Sequence, residues 1–469
     1  MSLTRRQFVQ TAITMTGAMT PLVAGAQTPP TPDPAGKPAP KLLHARPGLI
    51  HPAGAGGAEL PVWAYEGTAP GPELRIRKGE ELFARLINKL PQASSIHWHG
   101  VRGPNTIDGV SGLTQQPVAP GEQFDYRFVP PDAGTFVYHA HPAADLAGQY
   151  HRGLSGVLVV EEENPPDVDS ELVLAIADWK LNSGGKLAAP LDDPSDAAGP
   201  GRIGSLITVN GKAVPQSRVL RPGSRVRLRI VNLCPARIIA LQFSGLEPHV
   251  IAIDGQPCEA FVTGGGTVPA GPGSRFDVIA DMPRQAGEPV RITMLSWPLP
   301  GRPPEAPRLI HSLEIAGTPV ASRGSITSLP ENPLLPKTIR LQDAKRLDLA
   351  IAPAPPAQAR PGQFWTLNGR LHDGTSAPPL FKVQRGQPVS LGFVNRSAYP
   401  QAMRVHGHSV RLLHLLDDGW DPYWLDTVIV PPGKTARIAF IADNPGKWRL
   451  ASAIMAHASG GLAHWFEVA

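Results

Sequence analysis

Two His-x-His pairs stand out in the first third of the chain: His97-Trp98-His99-Gly100 and Tyr138-His139-Ala140-His141. On a β-strand, residues i and i+2 point to the same face, about 6.5–7 Å apart. Each pair therefore presents two imidazoles to one side. Two such strands laid together make a four-histidine patch. Imidazole suits copper, zinc, iron and nickel. One pair alone is more often core structure than a ligand set. Two pairs in one stretch, each beside an aromatic residue, point to a metal.

Strands to carry them recur along the chain. Apolar and polar residues alternate in Glu73-Leu74-Arg75-Ile76-Arg77, Arg225-Val226-Arg227-Leu228-Arg229-Ile230 and Val428-Ile429-Val430. Each reads as a strand with one buried face. No segment beyond the N-terminus shows a sustained helical period. Pro (54) and Gly (48) are abundant among 469 residues, which suits many short strands joined by turns. Residues 73–90, 218–234 and 379–397 share one plan: a strand, a basic-Gly turn, a second strand and an Asn near its end. "ITVNGK" (207–212) and "WTLNGR" (365–370) precede the second and third copies. A Pro-Gly turn leading into a strand recurs at 118–128, 269–280 and 430–440. Repeated units of roughly 120–150 residues imply an all-β chain of three related sandwiches, since one sandwich runs near 100 residues. The expected units are 44–163, 170–318 and 335–469, with linkers where Pro, Ser, Gly and Asn cluster.

The formal charge is +5, and two of those charges are Arg5 and Arg6. That is a weak balance for a chain this long, and no Lys/Arg run is long enough for a nucleic-acid site. Cys234 and Cys258 fall in one unit. One disulfide and two buried thiols fit equally well.

The segment Thr4-Arg5-Arg6-Gln7-Phe8-Val9-Gln10 has the form of a twin-arginine export signal, followed by an apolar stretch from Ala12 to Ala24 and the small-residue pattern Ala24-Gly25-Ala26. Residues 1–26 are expected to be a signal peptide and 27–43 a flexible Pro/Ala-rich lead-in. The apolar stretch is shorter than the ~20 residues of a stable membrane span. The expected location is the periplasm.

At this point the chain resembles a known family. "SIHWHGV" (95–101), "DGVSGLTQQPVAPGEQFDYRF" (108–128) and "GTFVYHAHPAADLAGQYHRGLSGVLVVEE" (134–162) are similar to the first domain of the multicopper oxidases, laccases included. "VNGK", "RVRLRIVNL" and "PHVIAIDGQP" resemble the middle domain. "WLDTVIVPPGKTARIAFIADNPGKW" (424–448) and "HASGGLAHWFEV" (457–468) resemble the last. The resemblance implies three consecutive cupredoxin-like Greek-key β-sandwiches. It also implies that His97 matches a type-2 copper ligand, His99 and His139 ligands of one type-3 copper, and His141 a ligand of the other.

In its third domain the family has His-Pro-x-His-Leu-His-Gly, where this chain has Gln401-Ala402-Met403-Arg404-Val405-His406-Gly407. Only His406, matching a type-3 ligand, remains; Gln401 stands at a type-1 position and Arg404 at a type-2 position. Near its end the family has His-Cys-His-x-x-x-His, where this chain has Ala451-Ser452-Ala453-Ile454-Met455-Ala456-His457. Ser452 replaces the type-1 cysteine, with Leu462 at the axial position. A blue copper site needs a thiolate beside two imidazoles. Arg404 has no lone pair and stays charged. A positive charge about 4 Å from Cu²⁺ costs roughly 8 kcal/mol at an effective dielectric near 20, unless the side chain swings to solvent.

Two readings follow. The first is a non-catalytic periplasmic protein that uses its sandwiches to bind or stabilise an unidentified partner or small molecule. It is partly similar to the copper-free cell-division member of the superfamily. The second is a copper-binding oxidoreductase with a reduced type-2/type-3-like centre at His97, His99, His139, His141 and His406, and without type-1 copper. No Ser/His/Asp motif points to a hydrolase. His151, His464 and His408 match no ligand position, and Asp426 reads as structural.

Overall fold

The computed structural model describes residues 39–469, apart from 55, 286, 359, 373, 375 and 414–418. The expected signal peptide and residues 27–38 of the lead-in lie outside the described residues. The strand Lys41–Ile50 begins inside the segment expected to be lead-in.

Six sheets pair into three sandwiches. One is built from strands between Lys41 and Glu161, one from strands between Ser170 and Ile315, and one from strands between Lys345 and Val468. Each closes over its own apolar core, around Leu86, Trp98 and Phe136, around Leu228, Leu241 and Val278, and around Leu391, Phe393 and Phe440. The three share a feature of register. The opening strand of each unit runs parallel to the strand after its basic-Gly turn, as in Leu43↔Leu86, Leu174↔Ile230 and Leu349↔Phe393.

The repeated Asn now has a physical reason. Asn88, Asn232 and Asn395 are buried at the ends of equivalent strands. Each donates through Nδ2 to two carbonyls: Gln92 and Val118, Arg237 and Ala270, Tyr399 and Val430. Each accepts through Oδ1 from the backbone N–H two residues on. One side chain thus satisfies three buried backbone groups that would otherwise cost about 1–3 kcal/mol apiece.

Buried charge joins the sandwiches. Asp277 accepts from Thr135 Oγ1 at 2.7 Å and from Arg229 Nη1 at 2.9 Å, and Arg227 contacts the same carboxylate. Arg275 pairs with Asp426 at 2.7 Å and with Asp254 at 3.4 Å. Cys234 and Cys258 are both buried and free.

Among the described residues, three short α-helices interrupt the strands, Leu146–His151, Pro194–Ala198 and Met455–Ser459. None was legible as a periodic segment, because five or six residues span less than two turns. Two of them pack together over the histidine cluster. Leu146, Ala147 and Tyr150 meet Met455 and Ala458, and Ala147 N donates to Ser459 Oγ.

Candidate metal centre

The strand Ile96–His99 pairs antiparallel with Gly134–Ala140. Its register sets His97 directly opposite His139. The alternation of side chains does the rest: the His97 and His139 rings are 5.2 Å apart, and the His99 and His139 rings 5.8 Å. His141 lies just past the strand end, held by its N–H to Ser95 O, with its ring 5.5 Å from His97. Gly100 turns the chain away at φ 93°, and a Cβ there would sit 2.2 Å from Arg275 Nη2.

The opposite wall comes from the third sandwich. The strand Gln401–Val405 pairs with Gly446–Ser452, so that Met403 faces Ser452, Arg404 faces Ala451 and Val405 faces Leu450. His406 continues this strand, its N–H bonded to Arg449 O. Its ring stacks on His97 at 4.2 Å and lies 5.9 Å from His141. All five sequence-predicted histidines therefore converge, and all are buried. A cavity of about 20 Å³ at their meeting point is lined by His99, His139, His141 and His406, with Arg404 and Arg449.

Arg404 does not swing to solvent. It is only 4% exposed, and its Nη1 donates to His97 Nε2 at 2.7 Å. His97 Nδ1 donates to the Asp108 carbonyl at 2.5 Å, since a carbonyl only accepts. Both nitrogens of His97 are thus engaged. Burial pushes Arg404 down to about 10, against the pull of Asp426 and Asp108, so it remains a cation at neutral pH.

The other four imidazoles are oriented differently. His406 Nδ1 lies 3.1 Å from Asp108 Oδ2 and donates there, leaving Nε2 with a lone pair. His139 Nδ1 donates to Ala140 O at 3.0 Å, and its Nε2 is buried with no protein partner. His141 Nδ1 is equally without one. His99 Nε2 faces Asp426 Oδ1 at 3.4 Å. Burial holds all four well below the ordinary histidine value, with Arg404 adding to it at His99 and His406, His97 at His139 and Arg449 at His141. Neutral imidazole is the ligating form. Asp108 lies well below the usual carboxylate range: burial opposes this, and its contacts with His406 and His97 outweigh burial.

Two carboxylates thus belong to the site. Asp108 was not singled out in the sequence, and Asp426, expected to be structural, pairs with both Arg275 and His99. Arg449 was missed too. Each comes from another strand or loop, where local spacing carries no signal.

The remaining expected positions form a separate, closed knot. His457 Nε2 donates to Gly199 O at 2.8 Å, and its Nδ1 lies 2.9 Å from Gln401 Oε1. Ser452 Oγ accepts from Ile454 N. Ala453 packs on Ala236, Ala402 and Ile454, and Ala451 joins the apolar cluster of the two helices.

Residues 51–165 and 349–469 each match a family model described as multicopper oxidase. A multicopper oxidase of known structure from Pseudomonas thermotolerans is 32% identical, with 92% of this chain and 99% of that chain covered and a TM-score of 0.80. The curated multicopper oxidase MmcO of Mycobacterium tuberculosis is 27% identical over 450 residues, 87% of this chain and 83% of that protein. Laccase-1 of Botryotinia fuckeliana is 26% identical over 466 residues, 88% of this chain and 79% of its own length. The chain belongs to the multicopper oxidase family, and its three sandwiches are the laccase-like cupredoxin domains of that family. These likenesses overturn the expectation of a non-catalytic binding or stabilising protein. The relatives that match it nearly end to end are oxidases and laccases.

Proposed function

We propose that the protein is an exported copper-dependent oxidoreductase whose metal is held by His99, His139, His141 and His406, without a type-1 copper. The observation that carries this reading is the pair of buried, unpartnered ring nitrogens, His139 Nε2 and His141 Nδ1, at a cavity shared with His99 and His406. A buried ring nitrogen left without a partner costs about 1–3 kcal/mol, and a metal ion offsets that. The second contacts of His139 and His406 fix the tautomer that leaves a lone pair free, as ligating histidines require. His97 is not among the ligands in this reading, because Arg404 already takes its Nε2 lone pair.

Bound copper supplies one-electron redox chemistry at a histidine-held ion. The chain's own groups orient and insulate it. Asp108 holds His406 in the ligating tautomer, and the two packed helices exclude bulk water. A cavity of about 20 Å³ takes a metal ion and at most one water-sized species, too little for an organic reductant to enter beside the metal. Absence of the type-1 relay is supported by the knot at the third sandwich. There His457 is held by its Nε2–H to the Gly199 carbonyl, and a serine hydroxyl stands where a soft sulfur ligand is needed. Oxidation of bulky phenols in air is accordingly absent or very slow.

Metal analysis of mature protein from copper-replete cells, with absorption and electron paramagnetic resonance spectra, tests this. The expected result is at least one tightly held copper per chain and no intense blue band. Protein that keeps no copper after dialysis, or that turns blue, overturns it.

A further inference from the structure

Arginines in this protein are buried with carboxylates. Arg202, Arg225, Arg227, Arg229, Arg237 and Arg275 are all buried, and each has a carboxylate oxygen at 3.0 Å or closer. Two buried arginines break the pattern. Arg404 and Arg449 are 4% and 8% exposed. Among the described residues, neither has a carboxylate within ion-pair distance. Both leave Nε buried without a hydrogen-bond partner. Arg404 spends Nη1 on His97, and Arg449 donates no side-chain hydrogen bond that the structure records. The two come from adjacent strands of the third sandwich and line the same small cavity.

Two buried guanidinium groups without an ion-paired carboxylate at one small cavity are costly, because a buried charge needs an opposite charge or a full set of acceptors, and Asp108, with Asp426 for Arg404, attracts them only from beyond ion-pair distance. The other lining groups do not supply these. The four cavity histidines are neutral, and Ala451, Ala453 and Leu146 are apolar. Ser452 Oγ already accepts from Ile454 N. Asp108 and Asp426 are turned to His97, His406, His99 and Arg275 instead. A cavity of about 20 Å³ exceeds the ~10–15 Å³ that one water requires, and it is far too small for an organic acid.

We propose that this cavity is an anion site, in which Arg404 and Arg449 together hold one small inorganic monoanion of halide size. The anion supplies the acceptor that both guanidinium groups lack. It occupies its place with or without copper. When copper is present, the anion also offsets the repulsion between the metal and the two cations, so that halide and copper strengthen each other's binding by the same factor. The inference goes beyond the copper reading and does not depend on it.

Bromide is the probe. Metal-free protein is titrated with sodium bromide against sodium sulfate at matched ionic strength, followed by thermal unfolding. Bromide is then located in crystals by its anomalous scattering. The expected result is saturable stabilisation by bromide and an anomalous peak at the cavity, with affinity reduced at least tenfold in Arg449→Met. The variant His139→Ala/His141→Ala keeps the bromide. A wild-type cavity that holds only water in bromide overturns the proposal, as does an Arg449→Met variant with undiminished affinity. Copper content measured on protein purified from copper-replete cells, before its metal is removed, separates the two readings. Copper without bromide sinks the anion site alone, and bromide without copper sinks the copper reading alone.

Discussion

The first and third sandwiches face each other across one cavity and have been treated very differently. The first contributes four histidines, His97, His99 and His139 on two paired strands and His141 just past the end of the second, grouped by the His-x-His spacing. The third contributes one, His406, beside Arg404, Arg449, Ala451, Ser452 and Ala453. Yet the third wall has not collapsed. Arg404 fills the space opposite His97, Ala451 packs into the helix cluster, and His457 donates to the Gly199 carbonyl. The Gly199 carbonyl and the Ile454 N–H there both find side-chain partners, as buried backbone groups in a folded core demand. The difference teaches that ligand capacity and packing are separable. The first wall aims two ring nitrogens without a protein partner into the cavity, which packing alone would not favour, while the third wall is held by hydrogen bonds and apolar contacts.

The sharpest way to break this contrast is to remove imidazoles from each side. His139→Ala/His141→Ala should lose all bound copper, whereas His457→Ala should keep it all, measured by metal analysis after dialysis. His457→Ala should instead lose about 1–3 kcal/mol of stability in urea, since the buried Gly199 carbonyl loses its donor. Copper lost equally from both variants would show that the two regions do not differ as described.

Next in size is Arg404→His. It removes the cation and returns the Nε2 lone pair of His97 to the cavity. Copper content should rise by about one equivalent, and affinity for the first copper should rise at least tenfold, consistent with the roughly 8 kcal/mol ceiling for a charge about 4 Å from Cu²⁺. Competition with a chelator and a new Cu²⁺ resonance signal report the two effects. Unchanged stoichiometry would mean that Arg404 does not gate the His97 position.

Much of this was legible in residues alone. Period-two alternation and the thrice-repeated strand–turn–strand–Asn plan pointed to three sandwiches, because one side chain must satisfy the same backbone groups in each copy. The His-x-His spacing placed four imidazoles on one face, because strand geometry leaves no other arrangement. Asp108 was not legible. It meets His406 across 298 positions of sequence, and a loop carboxylate has no period to betray its partner. Arg404 was expected to be awkward beside a metal, but its route out of that difficulty, donating to His97 rather than turning to solvent, depends on a packed cavity that only the fold shows. The two helices over the site were missed because each is shorter than two turns.

The smallest effect separates the seam between the first and second sandwiches from the histidine cavity. Asp277 is buried. Burial alone would raise its carboxyl, but Arg227, Arg229 and Thr135 outweigh burial and hold it below the usual value. A folded-state value below the unfolded one, near 3.9, contributes stability that is complete above about pH 5 and is lost as pH falls through the folded value. One such proton corresponds to a slope of about 1.4 kcal/mol per pH unit in the acid range. The variant Asp277→Asn should be less stable at neutral pH and should show a shallower loss between about pH 5 and 3, by at most that slope, in urea unfolding followed at several pH values. Its copper content at pH 7 should match the wild type, because Asp277 bonds to Thr135, Arg227 and Arg229 and to none of the cavity histidines. An identical acid slope in the variant would place the charge that holds this seam elsewhere, and lost copper at pH 7 would mean that the seam and the cavity are one cooperative unit.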